Sequence, residues 1–271
     1  MVITILLLLL AGILAGLIAG LLGLGGGILF APVLLFLFQK SGIPDPVVWT
    51  IATSLFCNFV TSLSSSVKHM QMGNVYPKEG LMVGAFGVAG TYAGRIIATS
   101  TYYSEREFII FFSIILFYSV YHFLKKKKDS PLDAGREVLP MRWYHGVSIG
   151  FSAGMLAALA GVGGGLILVP AMSIFLAFGF KKVVSISSMA IVIITLAGWI
   201  QLGMIAPGSA GFSGLHWGYV DFGAALPLLA GGVVGARYGV WLLDVFRLRT
   251  IEIFFGILVL FVALRLLYGL F

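Results

Sequence analysis

The residues best placed to do chemistry in this chain are glycines. The stretches GLGGGILFAP at 23–32 and GVGGGLILVP at 161–170 repeat one pattern: a glycine cluster, then a proline at fixed spacing. Glycine reaches positive φ without steric penalty, so Gly25, Gly26 and Gly27, and equally Gly163, Gly164 and Gly165, can turn the chain inside an otherwise helical run. A helix that restarts after such a turn points unpaired N–H groups, with partial positive charge, back at the break. Two such starts brought together would hold an oxyanion. The competing use of the same glycines is close packing between helices. Neither cluster is a nucleotide motif: no Lys-Ser/Thr follows, and the GxGxxG spacing is absent.

Neutral hydrogen-bond donors accompany the glycines. The run ATSLFCNFVTSLSSS at 52–66 carries Thr53, Ser54 and Asn58, with Ser54 and Asn58 on one helical face. The second half offers Ser187 and Ser188, with Ser185 and Thr195 beside them in sequence. Hydroxyls and amides can donate to an oxyanion without the desolvation cost of a full charge. They can equally bond between helices or to their own preceding turn. Arg95 and Arg237 lie inside apolar segments at similar places in the two halves. There they either add positive potential for an anion or snorkel to the interface. Gln71 and Gln201 end corresponding segments and are candidates for a gate.

Other chemistries find little support. Asp221, Asp244 and Glu252 fall near segment ends, so no carboxylate stands out as a proton relay at mid-membrane depth. Cys57 is the single cysteine, which excludes an internal disulfide and a multi-cysteine metal site. Alone in an apolar run, it reads as inert packing. His69, His122, His145 and His216 sit near segment ends and read as interfacial. No metal site, cofactor or catalytic grouping is expected, and the chain does not read as an enzyme.

The elements that must position these residues are membrane helices. The chain is 60% hydrophobic and only 10% charged, against about a quarter charged in soluble domains. Apolar runs of about 20 residues or more recur over its whole length, the mark of a polytopic helical membrane protein. The net charge of +7 belongs to loops, not to nucleic-acid binding: the KKKK run at 125–128 has no interleaved aromatic platform. Residues 2–22 precede any Lys or Arg, so they read as a mature segment starting outside the cytoplasm, not as a signal peptide with a basic leader.

The segments 3–38 and 144–178 are too long for one crossing each, and the glycine clusters fall in their middles. Each is therefore expected as two helical pieces, 3–22 with 26–38 and 144–160 with 164–178, with Pro32 and Pro170 in the second pieces. The halves also match elsewhere in the same order: VVWTIATSL with VVSISSM, QMGNV with QLGMI, GTYAGR with GVVGAR, and EFIIFFSIILF with EIFFGILVLF. This predicts a duplication, with repeats 1–124 and 143–271 joined by a basic linker at 125–142. If each long segment turns back at its glycines, twelve loop charges (Lys68, Lys78, Lys125 to Lys128, Arg136, Arg142, Lys181, Lys182, Arg247, Arg249) face three (Lys40, Arg106, Arg265). Straight crossings would split them nine against six. The positive-inside rule prefers the first arrangement, with the linker cytoplasmic, both termini outside, and the repeats inverted about a midplane axis.

GLGGGILFAP followed by ATSL, with GVGGGLILVP followed by SISSM, resembles the TauE/SafE family of sulfite exporters. The resemblance covers nearly the whole chain, including its length, both glycine-proline motifs and the basic central loop. It implies a bacterial or archaeal inner-membrane transporter of sulfur-containing anions such as sulfite, sulfoacetate or other organosulfonates. Members differ in substrate and direction. One departure is that SISSM replaces IATSL in the second half, so the two hydroxyl sites need not be equivalent.

The combined expectation is an all-α polytopic membrane protein of two inverted repeats. Each repeat has a glycine-broken or re-entrant first hairpin plus three spanning helices. It would export a small sulfur-containing oxyanion by alternating access. The anion would be held by Gly25–Gly27 and Gly163–Gly165, with Thr53, Ser54, Asn58, Ser187 and Ser188 nearby. A passive anion channel, or a membrane anchor or sensor acting through the basic loop, are the alternatives. Partners are the substrate and the lipid bilayer; the oligomeric state is left open.

Overall fold

The computed structural model describes residues 2–22, 25–73, 76–125, 141–176, 178–245 and 248–268. Residues 126–140, the greater part of the expected basic linker, lie outside the described residues. The described chain is helical apart from one two-residue hairpin. The first half holds α1 (Val2–Leu22), α2 (Gly27–Lys40), α3 (Pro46–Gln71), α4 (Pro77–Ala98) and α5 (Glu105–Lys125). The second holds α6 (Trp143–Ala160), α7 (Gly165–Phe175), α8 (Phe180–Gly203), the strands β1 (His216–Trp217) and β2 (Val220–Asp221), α9 (Phe222–Val245) and α10 (Leu248–Tyr268). Among the described residues, α1, α3, α4, α8 and α9 are long and apolar enough to cross a membrane by length and composition.

Both long segments break where the glycines fall. α2 has 14 residues and α7 has 11, with Pro32 and Pro170 inside them. At 1.5 Å per residue they reach roughly 21 and 17 Å, short of a hydrocarbon core of about 30 Å. Each proline also lacks an N–H for the carbonyl one turn back, which loosens the helix there.

Glycine stripes hold the bundle together. In lipid, helices gain little from apolar burial against one another, so close backbone approach supplies the packing energy. Gly12, Gly16 and Gly20 of α1 abut Leu228, Gly232 and Ala236 of α9 so closely that added Cβ atoms would collide with backbone carbonyls. Gly87 and Gly90 of α4 meet Gly150, Phe151 and Gly154 of α6 in the same way.

These contacts also fix helix directions. α1 runs parallel to α9, with Gly12 beside Leu228 and Gly20 beside Ala236. α3 runs parallel to α9, with Thr53 beside Asp221 and Ser64 beside Val233. α8 opposes α3, since Leu55 meets Gly198 while Ser65 meets Ser188. α4 follows α8, with Gly80 at Met189 and Thr91 at Gln201, and α6 follows α4, with Gly146 at Met82 and Gly94 at Ala158. So α1, α3 and α9 point one way, and α4, α6 and α8 the other.

The molecule therefore has two distinct ends. At one end the β1–β2 hairpin packs on the start of α3, Gln39 of α2 donates to Glu105 of α5 at 2.5 Å, and Arg265 of α10 lies 5.7 Å over the Phe36 ring of α2. At the other end Lys182 pairs with Glu79 at 3.8 Å, and α6 begins.

Candidate functional site

The two breaks meet at the middle of α3. Gly25 has φ +76°, and Gly161, Gly163 and Gly164 have +69°, +77° and +82°, all in the left-handed region where a side chain is strained. Gly161 ends α6 and Gly164 stands just before α7. A Cβ on Gly27 would lie 2.5 Å from Asn58 Nδ2, from the Gly161 carbonyl oxygen and from Val162 Cα. One on Gly25 would lie 3.1 Å from Asn58 Oδ1 and 3.2 Å from the Val162 oxygen. One on Gly163 would meet Ile191, Thr195 and Asn58. The first break thus presses on the second, and the Asn58 side chain fills the seam between them.

Asn58 and Ser54 reach this seam because they stand one turn apart on α3. Both donate to the Gly161 carbonyl, Asn58 Nδ2 at 2.8 Å and Ser54 Oγ at 2.9 Å. That carbonyl belongs to the end of α6, where the last carbonyls have no partner within the helix. Asn58 is fully buried, and its Oδ1 has no hydrogen-bond partner among the described residues. A buried acceptor left without a donor costs about 1–3 kcal/mol. On the amide side, Gly26 and Gly164 carbonyls take up the later first-turn N–H groups of α2 and α7. No described acceptor meets the N–H groups of Gly27 and Ile28, or of Gly165 and Leu166. The seam therefore presents two helix starts and one unsatisfied amide oxygen in a buried interior.

The remaining expected site residues divide. Ser187 is fully buried, its hydroxyl without a described partner, and it lies one turn from Ile191 on the α8 face that meets Gly163. Ser188 is turned elsewhere, to Ser65 of α3 at 3.3 Å. Thr53 leaves the seam as well: its Oγ1 accepts from the Asp221 N–H at 3.1 Å and faces the Tyr219 carbonyl at 3.5 Å. Arg95 lies in the last turn of α4, stacked 5.0 Å over Tyr92, and Arg237 is exposed on α9. Neither arginine approaches the seam. Gln71 is exposed at the end of α3, whereas Gln201 is half-buried and donates to Thr91 Oγ1 at 3.1 Å. The two glutamines do not meet.

Two groups have larger roles than their sequence positions suggest. Asp221 stands near a segment end, yet it is fully buried. Its carboxylate accepts from the Ser213 N–H at 3.0 Å, Ser213 Oγ at 2.9 Å and the Ala224 N–H at 2.9 Å, tying the 204–221 loop to the start of α9. The Ser213-to-Asp221 spacing gives no sequence signal for this. His69 is buried at 2% exposure near the end of α3, not interfacial. Around the loop, Trp49 meets His216 at 5.2 Å and Tyr219 at 5.4 Å, while Trp199 meets Phe56 at 5.2 Å and Trp217 at 5.5 Å. Among the described residues, no three His, Cys, Asp or Glu groups come together as metal ligands.

A family model described as sulfite exporter TauE/SafE matches residues 8–266. The probable membrane transporter protein YunE of Bacillus subtilis is 26% identical over 278 residues, covering 97% of each chain. A probable membrane transporter protein of Methanocaldococcus jannaschii is 25% identical over 234 residues, covering 86% of this chain and 84% of its own length. Another from Haemophilus influenzae is 25% identical over 272 residues, covering 97% of each. No solved structure matches the chain significantly.

Proposed function

The chain belongs to the sulfite exporter TauE/SafE family, and on that premise we propose that it carries small sulfur-containing oxyanions, sulfite or organosulfonates such as sulfoacetate, outward across a bacterial or archaeal inner membrane. The anion binds where the two glycine breaks meet. The observation that carries this reading is the seam itself: the starts of α2 and α7 converge on a fully buried Asn58. Irregular backbone at membrane depth is tolerated where protein buries it or where it lines a pathway, and here it supplies N–H groups to an anion.

The halves 1–124 and 143–271 act as inverted repeats that rock against each other, exposing the seam to one side and then the other. The opposed directions of α1, α3 and α4 against α6, α8 and α9 support this assignment. So does charge. Lys68, Lys78, Arg142, Lys181 and Lys182 stand at the end opposite the hairpin, where α5 ends and α6 begins. Lys40, Arg106 and Arg265 stand at the hairpin end. The positive-inside rule then makes the 125–142 linker cytoplasmic and both termini external.

An inside-negative potential drives an anion outward by about 2.3 kcal/mol per charge per 100 mV, so export needs no proton relay. The test is labelled sulfite flux into proteoliposomes under an imposed potential and then under an imposed pH gradient. Saturable flux driven by potential alone is expected. Currents far above carrier turnover without saturation would make the protein a passive channel, and flux only with the pH gradient would require a proton carrier. If the protein is an anchor or sensor, deleting the 125–142 loop abolishes its function; in a carrier the same deletion only weakens flux.

A further inference from the structure

We infer that the seam selects an oxyanion that still carries a proton: hydrogensulfite in its hydroxyl form, over the sulfite dianion and over sulfonates. This rests on the anion-carrier reading and narrows its substrate. The inference comes from the one side-chain acceptor in the seam that has no donor among the described residues. The Asn58 amide is held in one orientation, because Nδ2 donates to the Gly161 carbonyl. A flipped amide would set two oxygens against each other. Oδ1 is therefore the atom beside Gly25, and it is an acceptor only.

The first-turn amides of α2 and α7 and the Ser187 hydroxyl suit a plain anion. Oδ1 is the side-chain atom of the seam that repels one. An oxyanion whose oxygens are all bare would set a lone pair against it, at a fully buried amide. An oxyanion with one O–H satisfies Oδ1 with that proton and offers its remaining oxygens to the amides and to Ser187. Sites built to hydrogen-bond a substrate hydroxyl reject analogues lacking it far more strongly than apolar pockets reject an extra group.

Among the described residues, no titratable side chain is in contact with the seam glycines or Asn58, so the selection tracks the ligand's ionisation. Asp221 is committed to Ser213 and Ala224. Cys57 precedes Asn58 and points to another face of α3, and His69 lies three turns further along. Lys40 ends α2, His145 begins α6, Lys181 and Lys182 begin α8, and Arg237 is exposed on α9.

The experiment uses the full chain in proteoliposomes and counts both sulfur and charge moved, with sulfite and methanesulfonate as probes, at mildly acid and mildly alkaline pH. Expected results are one charge per sulfur at both pH values, sulfite flux falling at alkaline pH with the monoanion fraction, and methanesulfonate moved far more slowly. Asn58→Leu lowers sulfite flux by about tenfold to a hundredfold and raises methanesulfonate flux, because the acceptor that repels a bare oxyanion is gone, so the gap between the two probes closes. Ser54 still donates to the Gly161 carbonyl in that variant. Ser187→Ala lowers both fluxes. A charge ratio that climbs toward two with pH, or methanesulfonate moving as fast as sulfite, overturns this inference and leaves the carrier standing. Absence of saturable flux for either anion overturns the carrier reading itself. If Asn58→Leu does not fold, the wild-type charge ratio alone decides.

Discussion

The two glycine breaks come from equivalent sequence and serve unequal ends. Among the described equivalents, Gly25 and Gly163 are both left-handed at φ +76° and +77°, but Gly164 is left-handed at +82° where Gly26 sits at −76°. The polar side chains are unequal too. α3 sends Ser54 and Asn58 across to the second break. On α8, Thr195 lies at that break but turns its hydroxyl to its own helix, donating to the Ile191 carbonyl at 2.6 Å. The two breaks form similar backbone walls, and α3 alone sends an amide side chain between them. A symmetric pair of asparagines would have presented two acceptors and no preferred orientation for an asymmetric ligand.

The largest expected effect tests the backbone side of that contrast. Leucine at either Gly26 or Gly164 is expected to abolish transport, but alanine should separate them. A Cβ on Gly164 sits 2.5 Å from the Ala153 carbonyl oxygen at a φ of +82°. A left-handed conformation costs a side chain about 1–2 kcal/mol, and overpacking adds about 1–3 kcal/mol. Gly164→Ala should therefore lose folded protein as well as flux, seen as a lower melting midpoint in detergent. A Cβ on Gly26 collides with the buried Phe30 ring, a side chain rather than backbone, and at an ordinary φ, so Gly26→Ala should lose less folded protein and keep part of its flux. Equal loss of folded protein from both alanines would show the breaks to be structurally equivalent.

The connectors following α3 and α8 differ as sharply. The first is a short turn ending in Gly73 at φ +78°, while the second runs from 204 to 221 and folds back over the start of α3. Asp221 is what anchors it. Asp221→Ala removes three hydrogen bonds from a buried cap, and loss of such a cap costs about 1–2 kcal/mol. The expected outcome is faster proteolytic nicking within 204–218 and a lowered melting midpoint, with the 72–76 turn unaffected. Unchanged nicking would mean that the aromatic contacts of Trp49 and Trp217 hold the loop alone.

Much of this architecture is legible in the sequence. Overlong apolar segments with glycines in their middles forced two breaks, and α1–α2 and α6–α7 fall within a few residues of where length and glycine spacing place them. The polar run of α3 marked the helix that faces the seam. What could not be read was which member of a polar run turns inward. Thr53 and Ser54 are neighbours in sequence, yet one bonds the hairpin and the other the second break, because adjacent residues on a helix stand about 100° apart. Asp221 looked terminal because burial by a returning loop leaves no local pattern. The repeats GTYAGR and GVVGAR signalled duplication, but the glycines in them are helix-packing contacts against α6 and α1. Of the arginines in the same motifs, Arg95 lies in the last turn of α4, and Arg237 is exposed on α9 about two turns before its end.

The glutamines give the smallest test, and they sharpen the comparison at the level of single hydrogen bonds. Gln71 and Gln201 look equivalent in sequence, and a symmetric gate would need both. Gln201 ties α8 to α4 through Thr91, whose own hydroxyl donates to the Val88 carbonyl at 2.7 Å. This tie, with the packing of Gly80 on Met189 and Gly84 on Ile193, joins α4 and α8, which belong to the two proposed halves. Gln201→Leu should lower stability by about 1 kcal/mol, the net value of one buried hydrogen bond, and change the maximal rate of flux more than its half-saturation. Gln71→Leu, exposed and without a partner helix, should change neither. Matching effects from the two substitutions would restore the symmetric gate. An effect of Gln201→Leu on half-saturation alone would move this residue from the interface between halves to the path of the anion.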